Sequence, residues 1–183
     1  MKYQDLSKFK LPSNFRERGP FFVVLWWTIQ NTLFAWSPQP LFAWRVFLLR
    51  LFGAKIGEQV KIRASVKITY PWKLVIGNYC WIGDDCDIYN LGDITLGNNV
   101  ALAHRVSLCT GNHRYDKITF DILAEPIKLN DEVWLPNDVF VGPGVTIGEG
   151  TVVGARSTVL KDLPPGMICY GYPAKPIRKR EIK

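Results

Sequence analysis

Histidine is scarce in this 183-residue chain, which has only His104 and His113. A zinc centre of three histidines therefore lacks both the ligands and a suitable spacing. Cysteine is sparse as well, and Cys80, Cys86, Cys109 and Cys169 contain no CxxC pair, which argues against a zinc site or a disulfide framework. Cys80 and Cys86 stand one repeat apart at the same inward position and read as small hydrophobes stacked on each other. No secretory signal precedes the domain, so a reducing cytosol is the simplest setting. No apolar run has the length and purity of a transmembrane span: residues 20–36 carry Thr28, Gln30, Asn31 and Thr32, and residues 40–52 carry Arg45 and Arg50. A nucleic-acid recognition motif and a single-strand stacking platform are also missing, so no nucleic acid is expected as a partner.

What the chain has instead is a six-residue period. Ile76-Gly77, Ile82-Gly83 and Ile88 are followed by Leu96-Gly97, Leu102 and Leu108, then by Leu135, Val141-Gly142, Ile147-Gly148, Val153-Gly154 and Val159. Four residues after most of these aliphatics comes a second small or β-branched residue: Cys80, Cys86, Val100, Val106, Val139, Val145, Thr151 and Ser157. An α-helix cannot use this period, because six steps of about 100° carry a side chain to the opposite face, and a hairpin strand needs only period two. The chain must turn a corner every six residues. Short parallel strands joined by such corners stack into a prism, with an aliphatic at each vertex of the buried column and glycine relieving the corner. The expected class is all-β, a parallel β-helix. At 48% apolar, the chain can bury a core by stacking alone, since each coil needs only its neighbours.

The interruptions of the repeat point to function. The spacing widens from six to eight between Ile68 and Ile76 and between Ile88 and Leu96, so residues are expected to bulge outward at Tyr70-Pro71-Trp72 and at Asn90-Leu91-Gly92-Asp93. The largest break separates Leu108 from Leu135. A solenoid accepts insertions only as loops that leave the stack, and long ordered loops are commonly functional. Residues 114–126, RYDKITFDILAEP, form such a loop.

Ahead of the repeat, residues 20–36 and 40–52 read as two apolar helices, with Pro20 and Pro40 near their starts. Their first expected role is to cover the open end of the solenoid, which otherwise exposes strand edges and apolar side chains. The expected organisation is a helical cap over 1–55, a β-helix over 56–170 and a basic C-terminal tail over 171–183. Residues 1–73 hold twelve Lys or Arg against Asp5, Glu17 and Glu58, a balance of +9, whereas residues 74–160 hold five basic and eleven acidic groups, a balance of −6. Tryptophans 26, 27, 36 and 44 beside such basic flanks are also what a helix resting on an anionic leaflet would show. Peripheral membrane contact is a second role for the same segment, compatible with capping.

Candidates for chemistry are few. His104, in ALAHRVSL, reads as a corner or surface residue between coils. His113 lies where the regular repeat gives way to the long loop, so its imidazole can sit on the outer wall of a rigid coil under a covering segment. Imidazole ionises near neutral pH, which makes this a good place for a general base.

The hexapeptide run, the Thr110-Gly111-Asn112-His113 segment, the stretch DEVWLPNDVFVGPGVTIGEGTVVGARSTVLKDLPPG and the closing GYPAKPIRKR resemble bacterial hexapeptide-repeat acetyltransferases. Within them, the opening FKLPSNFRERGPFFVVLWWTIQ with LFAWSPQPLFAWRVFLLRLFGAKIG is similar to the colanic acid biosynthesis acetyltransferases, and the resemblance covers nearly the whole chain. It implies a left-handed parallel β-helix and a homotrimer with active sites between neighbouring subunits. It further implies acetyl transfer from acetyl-CoA, without a metal, to a hydroxyl of a sugar or lipid-linked glycan in exopolysaccharide biosynthesis. The implied location is the cytoplasm, at or near the inner face of the membrane.

The resemblance also implies residue roles. His113 matches the family's catalytic histidine, which takes the acceptor's proton as that oxygen attacks the thioester carbonyl directly. The lack of a nucleophile–base pair beside it agrees with a mechanism that forms no acyl-enzyme. Similarity to galactoside and maltose acetyltransferases implies that Trp134, Asn137, Ala155, Leu160, Lys161, Lys175 and Arg178 line the coenzyme A groove. There Lys161, Lys175 and Arg178 would answer the pyrophosphate and 3′-phosphate. The alternative for KPIRKREIK is a solvated basic terminus. Asn90 is the candidate for the acceptor-binding asparagine. The chain departs from the family pattern at Trp134-Leu135-Pro136, where isoleucine-glycine commonly follows the tryptophan, and at Arg156, where glycine is common.

Two other readings share the fold. Metal-dependent carbonic anhydrases on this scaffold need three histidines, which the chain lacks. A non-catalytic scaffold or sugar-binding protein would keep the repeat, but would not need His113 together with basic groove residues.

Overall fold

A computed structural model describes residues 2–182, and these form a parallel-strand solenoid under a short helical region. The prism has three faces. On the first lie β1 (Lys55–Ile56), β4 (Leu74–Ile76), β7 (Ile94–Leu96), β12 (Ile127–Leu129) and β15 (Thr146–Ile147). The second holds β2 (Lys61–Ile62), β5 (Trp81–Ile82), β8 (Ala101–Leu102), β13 (Trp134–Leu135) and β16 (Val152–Val153), extended by the hairpin β18 (Met167–Gly171) and β19 (Ala174–Lys179). The third holds β3 (Lys67–Ile68), β6 (Asp87–Tyr89), β9 (Ser107–Cys109), β14 (Phe140–Val141) and β17 (Thr158–Val159). Both members of each six-residue unit point inward: Ile76, Cys80, Ile82, Cys86, Leu102 and Val106 are all buried in one continuous core. This is the column read from the sequence, built two residues of strand at a time.

The repeat glycines work differently from the expectation. The left-handed residue of each corner stands three places after the aliphatic and is usually not glycine: Tyr79, Asp85, Asn99, Arg105, Glu132, Asp138 and Arg156 have φ between 56° and 61°. The glycine immediately after the aliphatic is needed because the next coil's backbone presses on it. A Cβ on Gly83 would lie 2.5 Å from the carbonyl oxygen of Ala103. Gly83→Ala should therefore cost about 1–3 kcal/mol through backbone displacement. Chemical denaturation checks this, and a variant as stable as the parent would contradict the close-approach account.

The wider spacings do not simply bulge into solvent. Tyr70, Pro71, Lys73, Asn90 and Leu91 are buried, because the N-terminal segment runs over this vertex. Trp72 Nε1 donates to Arg16 O at 2.8 Å, and Lys73 Nζ donates to Phe15 O and Leu91 O while pairing with Glu17. The large break is also shorter than its spacing suggested, since Leu129 and Val133 already rejoin the core. What leaves the stack is an antiparallel hairpin of β10 (Gly111–His113) and β11 (Ile122–Ala124) with a tip between them.

The cap consists of α1 (Pro20–Ile29), a π-helical turn over Gln30–Phe34 and α2 (Phe42–Leu51). Trp26, Phe34, Leu48, Leu49 and Phe52 pack onto the first coil. The cap also satisfies that coil's open edge, one carbonyl per face. Arg50 Nη2 donates to Ile56 O at 2.7 Å, Arg45 Nε to Ile62 O at 2.6 Å, and Trp26 Nε1 to Ile68 O at 2.8 Å. Gln30 Oε1 accepts the Ile68 N–H at 2.7 Å. Each of these groups would otherwise be an orphan at the end of a ladder. Among the described residues no helix is long and apolar enough to cross a membrane.

Candidate active site

His113 closes β10, where the chain leaves the vertex between the third and first faces. Two residues before it, a Cβ added at Gly111 would meet Leu91 Cδ1 at 2.9 Å and Tyr89 Cε1 at 3.0 Å, side-chain ends that would have to move to admit it. The imidazole is half-buried and stacked flat on Phe120, with centroids 4.2 Å apart and planes 9° apart, while Phe9 approaches its other surroundings at 6.0 Å. His113 Nδ1 lies 2.9 Å from the carbonyl oxygen of Phe120. A carbonyl has no proton to give, so Nδ1 carries the hydrogen and donates, leaving the lone pair of the neutral ring on Nε2.

The covering loop has its own ties. Arg114 grips Asp116 with two bonds, at 2.8 and 2.6 Å, and holds that carboxyl down at about 2. Arg114 N donates to Asp121 O, and Lys117 reaches Asp121 at 3.3 Å. The N-terminal segment meets the loop through Asp5 N–H donating to Ile118 O at 2.7 Å. Residues 5–9 therefore belong to the surroundings of His113, with no sequence signal to announce it.

The groove residues implied by resemblance are all exposed, and they fall into two groups. Trp134, on β13, and Lys175 and Arg178, on β19, belong to the second face, with Asn137 and Ala155 on the corners between the second and third faces. Asn137 Oδ1 accepts the His104 N–H at 3.2 Å. Leu160 and Lys161 follow β17, on the same vertex as His113 but two coils further along. Residues 174–179 are a strand rather than a free basic terminus, and Arg180 fastens the chain beyond it by donating to Gly150 O at 2.9 Å and Glu132 O at 3.2 Å.

Asn90 is placed where it cannot meet an acceptor. It is fully buried, its Oδ1 accepting the Tyr70 N–H at 2.9 Å and its Nδ2 donating to Tyr70 O at 2.6 Å. Eight-residue spacing puts this position inside the vertex, where the amide braces the widened corner. The outward positions beside it are the ones sequence reading missed: Asp87 and Tyr89 on β6, aligned in register with Ser107 and Cys109 on β9. Partial desolvation raises the Asp87 carboxyl above its ordinary range, against the opposing effect of Lys67. The available signal was their place on either side of inward Ile88. His104 is an exposed corner residue with Nδ1 3.6 Å from Asp84. Among the described residues no group of three or more His, Cys, Asp or Glu converges as metal ligands.

No protein-family profile matches the chain. It is 56% identical over 177 residues to WcaF of Escherichia coli K12, which bears the name of a colanic acid biosynthesis acetyltransferase, covering 97% of each chain. A maltose O-acetyltransferase from Clostridium difficile 630 superposes with a TM-score of 0.77 at 27% identity, covering 90% of each chain. A galactoside acetyltransferase solved in complex with coenzyme A superposes with a TM-score of 0.82 at 26% identity, covering 94% of this chain and 85% of that one. With that identity over nearly its full length and this solenoid beneath it, the chain belongs to the colanic acid biosynthesis group of the hexapeptide-repeat acetyltransferases.

Proposed function

We propose that this enzyme transfers acetyl from acetyl-CoA to a sugar hydroxyl in bacterial exopolysaccharide biosynthesis, with His113 as general base. The observation that carries the reading is the contact of His113 Nδ1 with Phe120 O, which leaves Nε2 free to accept a proton. The acceptor oxygen attacks the thioester carbonyl as its proton passes to Nε2. The tetrahedral intermediate collapses with cleavage of the C–S bond, and the imidazolium returns the proton to the departing thiolate of coenzyme A. Stacking on Phe120 fixes the ring plane, so the base is oriented before substrate arrives. Asp87 and Tyr89, outward on the neighbouring strand, take the place of Asn90 as groups to receive acceptor hydroxyls.

The working assembly is a homotrimer with its sites between copies. Support comes from the two groups of groove residues, which lie on different edges of one prism with the third face between them. A neighbouring copy laid against this face would complete a single groove. Lys161 follows β17 at the vertex shared with His113 and Arg178 stands on β19 of the second face, and in this reading they answer the phosphates of the coenzyme. Phosphates far from the reacting carbonyl contribute uniform binding. The double variant Lys161→Ala, Arg178→Ala should raise KM for acetyl-CoA by about tenfold or more with kcat at saturation little changed, and added salt should reproduce part of the rise. An unchanged KM would remove both residues from the groove. Mass spectrometry of products from acetyl-CoA and a panel of bacterial glycan intermediates tests the reaction class directly: no acetylated glycan from any of them would overturn it.

A further inference from the structure

The cap uses only half of its apolar surface to close the solenoid. On α1 the inward face is Val23 and Trp26, while Phe21, Val24 and Leu25 point outward, Phe21 at 80% exposure. On α2 the inward face is Val46, Leu48 and Leu49, while Trp44, Phe47 and Leu51 are outward. Between the helices Trp36 stands 80% exposed at one wall of an apolar groove of about 420 Å³, shared with Leu33, Leu41 and Trp44. An exposed apolar surface spread over two adjacent helices is more than closure of a coil requires.

Charge identifies the occupant. From residue 18 to residue 57 the chain contains no aspartate or glutamate, so the cap helices carry no carboxylate of their own, and Asp84 reaches the segment only at Gln39, at 3.3 Å. Arg18, at the approach to α1, is exposed and lies over the Phe22 ring at 5.8 Å. Arg45 and Arg50 are not part of this attraction, because the structure spends them on carbonyls of the first coil and its approach. Exposed aromatic side chains, helices free of carboxylates and a flanking arginine are the combination that an anionic bilayer surface selects.

We infer that the outer face of the two cap helices docks on an anionic membrane surface, with Phe21, Trp36 and Phe47 entering the headgroup region and Arg18 supplying the electrostatic part. The solenoid axis then stands away from the bilayer, with the His113 hairpin further along it. A membrane-seated enzyme of this kind suits an acceptor carried on a lipid. That consequence rests on the glycan reading above, whereas the docking itself does not.

Full-length protein is sedimented with vesicles of pure phosphatidylcholine and with vesicles containing phosphatidylglycerol. The expected result is binding to the anionic vesicles at about 0.05 M salt and release at about 1 M, where the screening length falls to about 3 Å. Phe21→Ser with Trp36→Ser should weaken that binding by about tenfold or more, with the thermal midpoint unchanged because both side chains are largely free of the protein. Arg18→Gln should weaken the salt dependence without abolishing residual association. No sedimentation at low salt overturns the docking, and so does equal binding by the Phe21, Trp36 variant. Loss of oligomeric mass in that variant by sedimentation velocity overturns it too, by assigning the face to contact between copies.

Discussion

His113→Ala lowers kcat for acetyl transfer by about 10²–10⁴-fold, the ordinary cost of removing a positioned general base. KM for acetyl-CoA stays within about twofold, since the implied coenzyme contacts lie on the second face and beyond β17 rather than at the hairpin. The fold also stays intact, because His113 is only half-buried and belongs to an excursion outside the stacked coils. A variant within about threefold of the parent would take the role of base away from His113 and leave the Phe120 contact as a purely structural tie of the loop.

Arg45→Ala destabilises the protein by about 2–5 kcal/mol, from an orphaned carbonyl and the cavity left by a large buried side chain. Arg45 is completely buried and among the described residues has no carboxylate salt-bridge partner; its guanidinium instead serves Ile62 O, Ser37 Oγ, Pro38 O and Gln39 O, at 2.6, 2.7, 3.0 and 2.6 Å. Burial pushes its pKa down, yet a guanidinium remains protonated throughout the physiological range. Truncation leaves Ile62 O without its partner beneath the cap, removes one bond each from Pro38 O and Gln39 O in the exposed turn, and opens a cavity between α2 and the second face. The thermal midpoint should drop by about 10 °C, and the exposed first coil should promote aggregation through its unpaired edge. Arg18→Ala, at an exposed position, is the control and should change stability by less than about 0.5 kcal/mol. If Arg45→Ala melted within about 2 °C of the parent, the cap would be held by apolar contact alone.

The solenoid was legible in the sequence because its physical cause is local. One aliphatic in every six residues, repeated with a small or β-branched residue four places on, can be buried only by a chain that turns at that interval, and each coil needs nothing but its neighbours. The same locality made the His113 hairpin visible as a break in the period, and the apolar segments before Ile56 visible as a cap. Glycine was read as corner chemistry when its cause was the next coil's carbonyl, since a close approach from a strand twenty residues away leaves no mark on local pattern.

What the tertiary structure decided was the use of each polar group. Asn90 and Asp87 are three residues apart, and only the inward turn of the widened vertex separates an amide locked onto Tyr70 from a carboxylate on the outer wall. Arg45 and Arg50 carried the same charge as Arg18 in the sequence, yet two of them close the solenoid's edge and one faces solvent. Phe9 reaches His113 from the N-terminal segment and Phe120 from the returning loop seven residues on. The sequence by itself determined the periodic scaffold and the break that holds the histidine, because both follow from burial repeated along the chain. Which nitrogen of that histidine is free was decided only in three dimensions, by a backbone carbonyl that the returning loop brings to 2.9 Å.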